Sequence, residues 1–468
     1  MPGLSAADQA AIFAQAQDPF WFFRHVLGWT PTPAACNYGY TEGITPDQRR
    51  VVESVLAHRR TATPAGVGVG KTRIAAGLVL WFLFTHVGSK VVTTAPTSHQ
   101  VENLLWREIR TAYAQARVPL GGRCLTAQLD VDTDWFALGF SPAVGREEET
   151  ATRAQGIHAP YVLAVVDEAT GVHASVLEAF EGVAVGAHDR LLFIGNPTDP
   201  TSAFKAICDS GTAHVVTLSA WDHPNVRHDD PAIIPGAVTR AWVAEHEASW
   251  GGPESALARA KIRGLWPEQG DDMLISLAWV EAAQARWIAP TGPPSAGGCD
   301  VARTGSDETI IQAVYAGGVF GIPTAYHEPN LMATVGRLVT AAFPVLATDD
   351  SGVGGGVTDR LAEQGVPVMG VNAAQAAEDR TRFANARAEM YWHLREALRL
   401  DEVALPPDAR LAGDLTNLKW KQDSTGRILL EPKDAIRSRL KRSPDRGDAA
   451  ALGWRAYRWS TMSWLGIA

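Results

Sequence analysis

The sequence predicts an α/β protein with a doubly wound, mainly parallel sheet over about residues 45–220, followed by a second domain that also contains strands. Three observations predict this. Short apolar runs typical of buried strands alternate with helical stretches through the first half. A glycine-rich loop joins one of these strands to a strongly apolar helix. A stretch rich in Pro and Gly, Pro290–Gly298, separates this region from a second set of strands.

The chain of 468 residues is long enough for two domains with a smaller appendage. We predict four segments: an N-terminal helical arm at 1–45, the parallel core at 46–220, a lid or linker at 221–285, and the second domain at 286–468. No signal peptide or membrane span is expected, because neither pattern occurs in the sequence. The four cysteines are widely spaced, and we expect reduced, mostly buried thiols and no zinc site.

The glycine-rich loop is Ala65–Thr72, which follows a β-prone run, Arg60–Pro64, and opens an apolar helical run, Arg73–Thr85. Strand, glycine loop, Lys-Thr and helix is the order that a phosphate-binding loop requires. Its glycines let the backbone curl so that N–H groups face an anion; they are Gly66, Gly68 and Gly70.

The last two residues of the loop carry the chemistry that this pattern predicts. Lys71 would reach the β- and γ-phosphates of a nucleotide, and the Thr72 hydroxyl would bind Mg²⁺. Ala65 stands where the usual pattern has its first glycine. The alternative interpretation is a glycine-rich turn that ends in Lys-Thr by chance.

Polar residues also follow two further strands. Tyr161–Val166 is followed at once by Asp167, which would hold Mg²⁺, and by Glu168, which would polarise the attacking water. Arg190–Ile194 is followed by Asn196, which could sense the γ-phosphate. A helix cap is the plainer interpretation of the acids, and the phosphate loop upstream makes it weaker.

Two further nucleotide contacts are predicted with less support from the pattern. Gln48 lies on a helix upstream of the loop, and its amide offers a donor and an acceptor that suit an adenine edge. Arg146 or Arg153 could stabilise transition-state charge, within one subunit or across a subunit boundary. Each of these three residues could equally be a solvated surface residue.

Acidic residues in the second domain form another constellation. Asp300 lies on or at the end of a strand, and Asp349-Asp350 ends another strand, Val345–Thr348. A third cluster, Ser443–Asp448, opens a helix near the C-terminus. Carboxylates from two strands and a helix can converge on two divalent ions, Mg²⁺ or Mn²⁺, which suits phosphodiester cleavage. The alternative is that each acid is a turn or cap residue.

The overall charge of −9, taken alone, argues against a nucleic-acid partner. A local basic run near the third acidic cluster could nevertheless grip a DNA backbone. A solvated surface is an equally good interpretation for any one of its members, which are Lys433, Arg437, Arg439, Lys441, Arg442 and Arg446.

Taken in order, these motifs resemble the large terminase subunit of tailed bacteriophages, in which an ATPase domain precedes a ribonuclease H-like nuclease domain. The resemblance covers nearly the whole chain. It rests on Gln48, Ala65–Thr72, Ala95–Thr97, Val166–Ala169, Gly195–Pro197, Asp300–Ala302, Asp349–Gly354 and Ser443–Asp448.

The resemblance implies an ATP- and Mg²⁺-dependent motor that moves double-stranded DNA into a procapsid, and an endonuclease with two Mg²⁺ or Mn²⁺ ions that cuts concatemeric DNA. It implies Asp300, Asp349 and Asp448 as metal ligands, with Asp307 and Asp445 assisting. Asp349 is preferred over Asp350 because of its spacing to the glycines that follow.

The resemblance also implies partners. They are the portal protein of the procapsid, a small terminase subunit and further copies of the chain in a ring during packaging, with a monomer in solution, in the host cytoplasm and without a membrane.

Two other functions remain open. A DNA-repair or helicase-type ATPase with a fused nuclease would need a second complete ATPase-type domain, and the sequence offers none. A non-catalytic assembly protein would not need every acid that the motifs supply.

Overall fold

The computed structural model describes residues 5–140, 157–267, 272–302, 308–350, 354–440 and 442–464. The chain divides into two compact units, the first comprising Met1–Glu245 and Arg259–Pro267, the second His246–Ala258 and Glu268–Ala468. The finer division into four segments stays a prediction. Among the described residues, no helix combines the length and the apolar character needed to cross a bilayer. All four cysteines are free thiols, but only Cys299 is buried and Cys36 is exposed.

The first unit is built on an eight-stranded sheet with the order β3-β4-β5-β2-β6-β7-β1-β8. All neighbouring pairs are parallel except β3–β4 and β4–β5. The predicted mainly parallel sheet is therefore confirmed. The strands are β1 (Arg60–Pro64), β2 (Lys90–Thr94), β3 (Arg123–Cys124), β4 (Gln128–Asp132), β5 (Trp135–Gly139), β6 (Val162–Val166), β7 (Arg190–Gly195) and β8 (His214–Val215).

Helices flank this sheet. They are Ala6–Ala16, Pro19–His25, Pro33–Asn37, Pro46–Ala57, Lys71–Thr85, Ser98–Gln100, Trp106–Ala114, Ala174–Val183, Ala203–Asp209 and Pro224–Arg227. Two more, Arg240–Ser249 and Ala256–Lys261, lie where the chain passes between the units.

The sequence pattern predicts one continuous helix over Gln100–Gln115, whereas the structure interrupts it. A short turn, Ser98–Gln100, is capped by Thr97 and followed by a π-helical turn, Val101–Leu105, before the α-helix Trp106–Ala114 begins. The sequence pattern could not predict this, because Val101, Leu105 and Ile109 have the spacing of a continuous helix.

The helix that follows the phosphate-binding loop, Lys71–Thr85, is buried on nearly all sides, which explains its almost continuous apolar sequence. Its glycine, Gly77, makes room for Trp29, since a Cβ atom there would lie 2.7 Å from the indole ring. An apolar cluster around β6 and β7 contains Phe180, Phe193 and Phe204. The phosphate-binding loop thus connects β1 to a helix that is itself part of the core.

The second unit contains a mixed sheet with the order β11-β10-β9-β13-β14, and β12 also pairs with β10. Strand β9 is parallel to β13 and antiparallel to β10, and β13 is parallel to β14. This arrangement fits the ribonuclease H-like fold that the resemblance implied. The strands are β9 (Ala296–Asp300), β10 (Thr309–Tyr315), β11 (Val319–Phe320), β12 (Thr324–Tyr326), β13 (Leu346–Asp349) and β14 (Val368–Val371).

The sequence pattern predicts one strand over Val319–Thr324, but the structure has two strands here, β11 and β12. Pro323 lies between them and has no N–H group to donate to β10. The turn residues Asp423–Gly426 predict a hairpin, which the structure confirms as β15 (Trp420–Gln422) and β16 (Ile428–Leu430).

The helices of the second unit are Leu277–Ala285, Leu331–Ala341, Gly354–Glu363, Ala386–Arg399, Ala409–Thr416, Lys433–Leu440 and Asp445–Trp464. An apolar cluster on one face of the sheet contains Leu338, Leu346 and Leu361. On the other, the C-terminal helix Asp445–Trp464 packs closely on β9. A Cβ atom on Gly298 would lie 2.2 Å from the Gly453 nitrogen and 2.3 Å from the Ala449 carbonyl oxygen.

We therefore expect Gly298→Ala to lower the free energy of unfolding of the second unit by about 3 kcal/mol, because both obstructing atoms belong to the backbone and must move. Gly336→Ala is the matched control, since a Cβ atom at this helical position meets nothing within 4 Å. It should be neutral or slightly stabilising. Thermal unfolding of the full chain measures both, and equal midpoints for the two variants would contradict the close helix–strand contact.

Candidate functional site

The strand order of the first unit explains how its predicted site residues meet. Strand β7 lies between β1 and β6, and all three are parallel, so their carboxyl ends lie at one edge of the sheet. The phosphate-binding loop follows β1, Asp167 and Glu168 follow β6, and Asn196 follows β7. Residues separated by more than a hundred positions are therefore neighbours at this edge.

The Lys71 ammonium is the centre of this group. Its Nζ lies 3.0 Å from Glu168 Oε1 and donates a hydrogen bond of 3.0 Å to Asn196 Oδ1. The Asn196 amide in turn donates to the Ala65 carbonyl oxygen at 2.6 Å. The predicted lysine, glutamate and asparagine are thus brought into direct contact.

Asp167 lies beside this contact and is buried. Its Oδ1 accepts a hydrogen bond of 3.0 Å from the Glu168 backbone N–H. Burial, and then the charge of Glu168, raise the pKa of Asp167 to about 7. A carboxylate in such a position is stabilised by a cation, so the donor set fits the divalent ion that the loop pattern implies.

The backbone of Glu168 has a φ of 48°, in the left-handed region that side chains other than glycine rarely adopt. Directly against it lies Gly195 at the end of β7, where a Cβ atom would be 2.9 Å from the Ala169 nitrogen. Backbone outliers of this kind cluster at active sites, because a rigid surround is needed to hold them. The strained turn aims the Glu168 carboxylate at Lys71.

The phosphate-binding loop is supported from the helix Pro46–Ala57. Gln48 is buried, and its amide donates hydrogen bonds of 3.1 and 3.2 Å to the Val69 and Gly70 carbonyl oxygens. Its Oε1 accepts from the Thr45 N–H at 3.0 Å, which completes a capping box. Gly70 has a φ of 78°, and a Cβ atom there would lie 2.2 Å from the Gln48 amide nitrogen. The loop therefore requires glycine at position 70.

A cavity of about 390 Å³ opens at the loop and is lined by Gln48, Gly68, Gly70, Lys71 and Thr72. A Cβ atom on Gly68, whose φ is 72°, would lie 3.0 Å from Val238. At Gly66 it would lie 2.6 Å from the Ile262 carbonyl oxygen. The glycines are needed for close packing of the loop.

In the second unit, three acidic segments meet at one edge of the mixed sheet. Thr348 of β13 pairs in parallel with Cys299 of β9. The next residue on each strand is an aspartate, so Asp349 and Asp300 lie side by side at the strand ends. The C-terminal helix packs on β9 and carries Asp445 and Asp448 in its first turn. A cavity of about 410 Å³ is lined by Asp349, Asp448 and Lys433 among others.

Lys433 lies among the acids of this site, and the sequence analysis did not identify it as their neighbour. Its ammonium lies 2.8 Å from Asp448 Oδ2 and 3.7 Å from Asp300 Oδ2. The sequence pattern places it in a basic run near the third acidic cluster, as a possible DNA contact and not as a partner of the acids. The contact of Lys433 with the acids could not be predicted. Lys433 begins the helix Lys433–Leu440, which contains none of the predicted acidic motifs.

The carboxylates of this site influence one another strongly. Burial raises the pKa of Asp300 well above its usual value, and Asp448, Asp445 and Asp349 add to the rise against the effect of Lys433. For Asp448, burial is the largest single effect and acts upward, but Lys433, Arg387 and the Tyr391 hydrogen bond together lower the pKa. Lys433 therefore provides positive charge where carboxylates are crowded.

Among the described residues, no three His, Cys, Asp or Glu side chains are placed so that they could hold a metal ion as they stand. The Lys433 ammonium lies between two of the acids instead. As a cation already contacting Asp300 and Asp448, it marks where divalent ions would be favoured. The oxygen-only donor set fits Mg²⁺ or Mn²⁺.

Two buried residues position the C-terminal acids. The Tyr391 hydroxyl donates a hydrogen bond of 2.6 Å to Asp448 Oδ1. Asp414 pairs with Arg442, and its Oδ2 accepts from the Gly447 N–H at 3.1 Å, between Asp445 and Asp448. Neither has a motif in the sequence.

Asp350, the alternative to Asp349, has other surroundings. Asp350 lies against β14, where a Cβ atom on Gly370 would meet its carboxyl carbon at 2.8 Å. Arg146, Arg153 and Asp307 lie outside the described residues.

Of the basic run, three arginines form ion pairs within the second unit, so they do not offer a free strip of charge. The pairs are Arg439 with Glu431, Arg442 with Asp414 and Arg446 with Asp408.

Comparison with known proteins gives one relative along nearly the whole chain. The probable terminase large subunit of Enterobacteria phage P7 is 24% identical over 92% of this chain and 92% of its own length. No protein-family model matches.

Solved structures that resemble the chain come from other phages. The large terminase of a thermophilic bacteriophage, in complex with ADP, is 13% identical, with a TM-score of 0.40 over 87% of this chain and 98% of that one. The nuclease domain of the large terminase subunit of bacterial virus Sf6 is 18% identical, with a TM-score of 0.31 over 38% of this chain and 96% of that one.

The P7 relative has the family name that the order of motifs predicted, and it matches the chain from the phosphate-binding half through the acidic half. The predicted resemblance to the large terminase subunit of tailed bacteriophages is thereby confirmed over nearly the whole chain.

Proposed function

We propose that this chain is the motor and cutting subunit of a bacteriophage DNA-packaging machine. ATP hydrolysis in the first unit would drive double-stranded DNA into a procapsid, and the second unit would cut the concatemer. One observation supports this best: Lys71, Glu168 and Asn196 converge on a phosphate-binding loop in one unit, while Asp300, Asp349 and Asp448 lie at a strand edge in the other. Each set is suited to one of the two reactions.

In the first unit, Lys71 would leave Glu168 and Asn196 to bind the β- and γ-phosphates of ATP. Glu168 would then be free to orient and polarise the attacking water, which is the role of a general base beside a γ-phosphate. Thr72 and Asp167 would hold Mg²⁺, which neutralises phosphate charge when bound. Asn196 would register the loss of the γ-phosphate, a role supported by its contacts with both Lys71 and Ala65.

We assign Gln48 to the support of the phosphate-binding loop. Both of its amide functions are already used, one by the Thr45 N–H and the other by the Val69 and Gly70 carbonyls. A buried amide with these partners has little capacity left for an adenine edge. Its contribution to nucleotide binding is therefore indirect, through the shape of the loop.

In the second unit, Asp300, Asp349 and Asp448 would hold two divalent ions, which supply an activated water and stabilise the leaving oxygen. Tyr391 fixes the orientation of Asp448, and Asp414 fixes the first turn of the helix that carries it. Lys433 would move from the carboxylates to a phosphate oxygen of the DNA, since a compact ammonium suits either anion. Asp445 would assist from the same turn.

The remaining partners follow from this role. We propose that the chain acts in the host cytoplasm on double-stranded DNA, with a small terminase subunit, and assembles as a ring on the portal of the procapsid. Arg146 or Arg153 stays the proposed source of an arginine that completes the ATP site. The net charge of −9 makes DNA contact dependent on a few local cations such as Lys433.

Lys71→Ala should reduce ATP hydrolysis by at least about a hundredfold, because the variant lacks the charge that stabilises the transferring phosphate. It should leave plasmid cutting in Mn²⁺ unchanged. Lys205→Ala, which removes a lysine from a surface pair with Asp209, is the control and should retain both activities. Full DNA-stimulated ATPase activity in Lys71→Ala would rule out the proposed ATP site.

Asp300→Asn should abolish Mn²⁺-dependent plasmid cutting while ATP hydrolysis stays at the wild-type rate, because the carboxylate lies in the second unit. Asp359→Asn, at an exposed position on a helix of the same unit, should cut normally. Agarose gels and phosphate release measure the two activities. Undiminished cutting by Asp300→Asn would refute the nuclease assignment.

Gln48→Ala should weaken the binding of Mg²⁺·ATP and of Mg²⁺·tripolyphosphate by about the same factor, on the order of tenfold, because two loop carbonyls lose their buried donor. Isothermal titration of the full chain measures both affinities. If ATP binding weakened while tripolyphosphate binding did not, Gln48 would contact the adenine base, as the sequence pattern predicts.

A further inference from the structure

The use of both Gln48 amide functions leaves the nucleoside end of the proposed nucleotide site without an assigned contact. The cavity that opens at the phosphate-binding loop extends beyond it. Besides the loop, it is lined by Arg73, Asn103, Leu104, Arg107 and Glu108, and by His223 and residues 234–237. Glu168 and Asn196, which we propose to lie near the γ-phosphate, contact Lys71 but do not line this cavity.

One wall of the cavity is formed by the π-helical turn Val101–Leu105 and the start of the next helix. The turn is anchored by Val101 and Leu105, which are buried, whereas Leu104 is 42% exposed. π-helical turns are rare and occur frequently at functional sites. Here the turn presents Asn103 and Leu104 to the same space as Arg107, one turn further on.

The polar side chains of this wall are available to a ligand. Within the described part of the chain, the side chains of Asn103 and Arg107 make no hydrogen bond or ion pair. The next arginine of the helix, Arg110, is bound instead to the carbonyl oxygens of Thr126 and Glu102. Arg73, which also lines the cavity, lies over the Trp29 ring at 4.4 Å. Among the described residues, Arg107 is therefore the arginine of this wall that has no internal contact.

We propose that Asn103, Leu104 and Arg107 bind the base and ribose of the nucleotide, and that Arg107 provides most of the affinity at this end. The proposal rests on the ATPase function proposed above. A planar guanidinium stacks on a purine ring, and the exposed Leu104 gives the base an apolar contact. The Asn103 amide has a donor and an acceptor for the base edge or a ribose hydroxyl.

The test compares a ligand with a nucleoside and one without. Isothermal titration of the full chain with Mg²⁺·ATP and with Mg²⁺·tripolyphosphate should show that Arg107→Ala weakens ATP binding about tenfold and leaves tripolyphosphate binding within about twofold. Leu104→Ala should show the same selective loss of affinity for ATP, to a smaller extent. Arg123→Ala, at an exposed arginine of the same unit outside the cavity, is the matched control and should bind both ligands as the wild type does.

The possible results separate this inference from the function on which it rests. If the wild-type chain binds neither ligand, the ATPase assignment itself is wrong, and the inference is overturned with it. If the wild-type chain binds both and Arg107→Ala retains full affinity for ATP, only the inference is overturned. A loss of affinity for tripolyphosphate as large as that for ATP would place Arg107 at the phosphates and would also overturn it.

Discussion

Both proposed centres depend on the same electrostatic constraint, which is that acidic side chains crowd at the carboxyl edge of a sheet and need a cation nearby. In the first unit, the Lys71 ammonium contacts Glu168 beside the buried Asp167. In the second, the Lys433 ammonium contacts Asp448 and lies near Asp300. A buried carboxylate without such a neighbour would be costly in its charged form. The lysines therefore make the two acidic edges compatible with a folded chain and keep them in position for substrate.

Local pattern and chain order predicted the framework of these centres. Each acid or amide that follows a buried strand was visible in the sequence, and parallel pairing brings such residues together, as with Asp167 and Asn196. The supporting residues were not visible, because their roles arise only from tertiary contacts. Tyr391 lies in the middle of a helix and reaches Asp448 across 57 positions, and no periodicity marks it. Lys433 was found as one member of a basic run, but the pattern did not show that it contacts Asp448 while Arg439 pairs with Glu431.

Gln48 illustrates how a correct location can accompany a different chemical role. The sequence placed it beside the phosphate-binding loop, and the structure does so as well. Its amide, however, has two functions that a capping box and two loop carbonyls already occupy. A side-chain amide that suits a base edge equally suits the backbone carbonyls of a tight loop. Only the count of donors and acceptors separates the two roles.

The burial and exposure of its residues indicate that the π-helical turn Val101–Leu105 has a function. An interruption of a helix gives up regular hydrogen bonding, so it persists where packing or binding compensates. Its buried residues, Val101 and Leu105, satisfy the packing, and its exposed residues contribute nothing to the core. Asn103 and Leu104 face a cavity that begins at a phosphate-binding loop. A continuous helix would place these side chains differently relative to Lys71, so the distance from the loop to this wall is set by the turn itself.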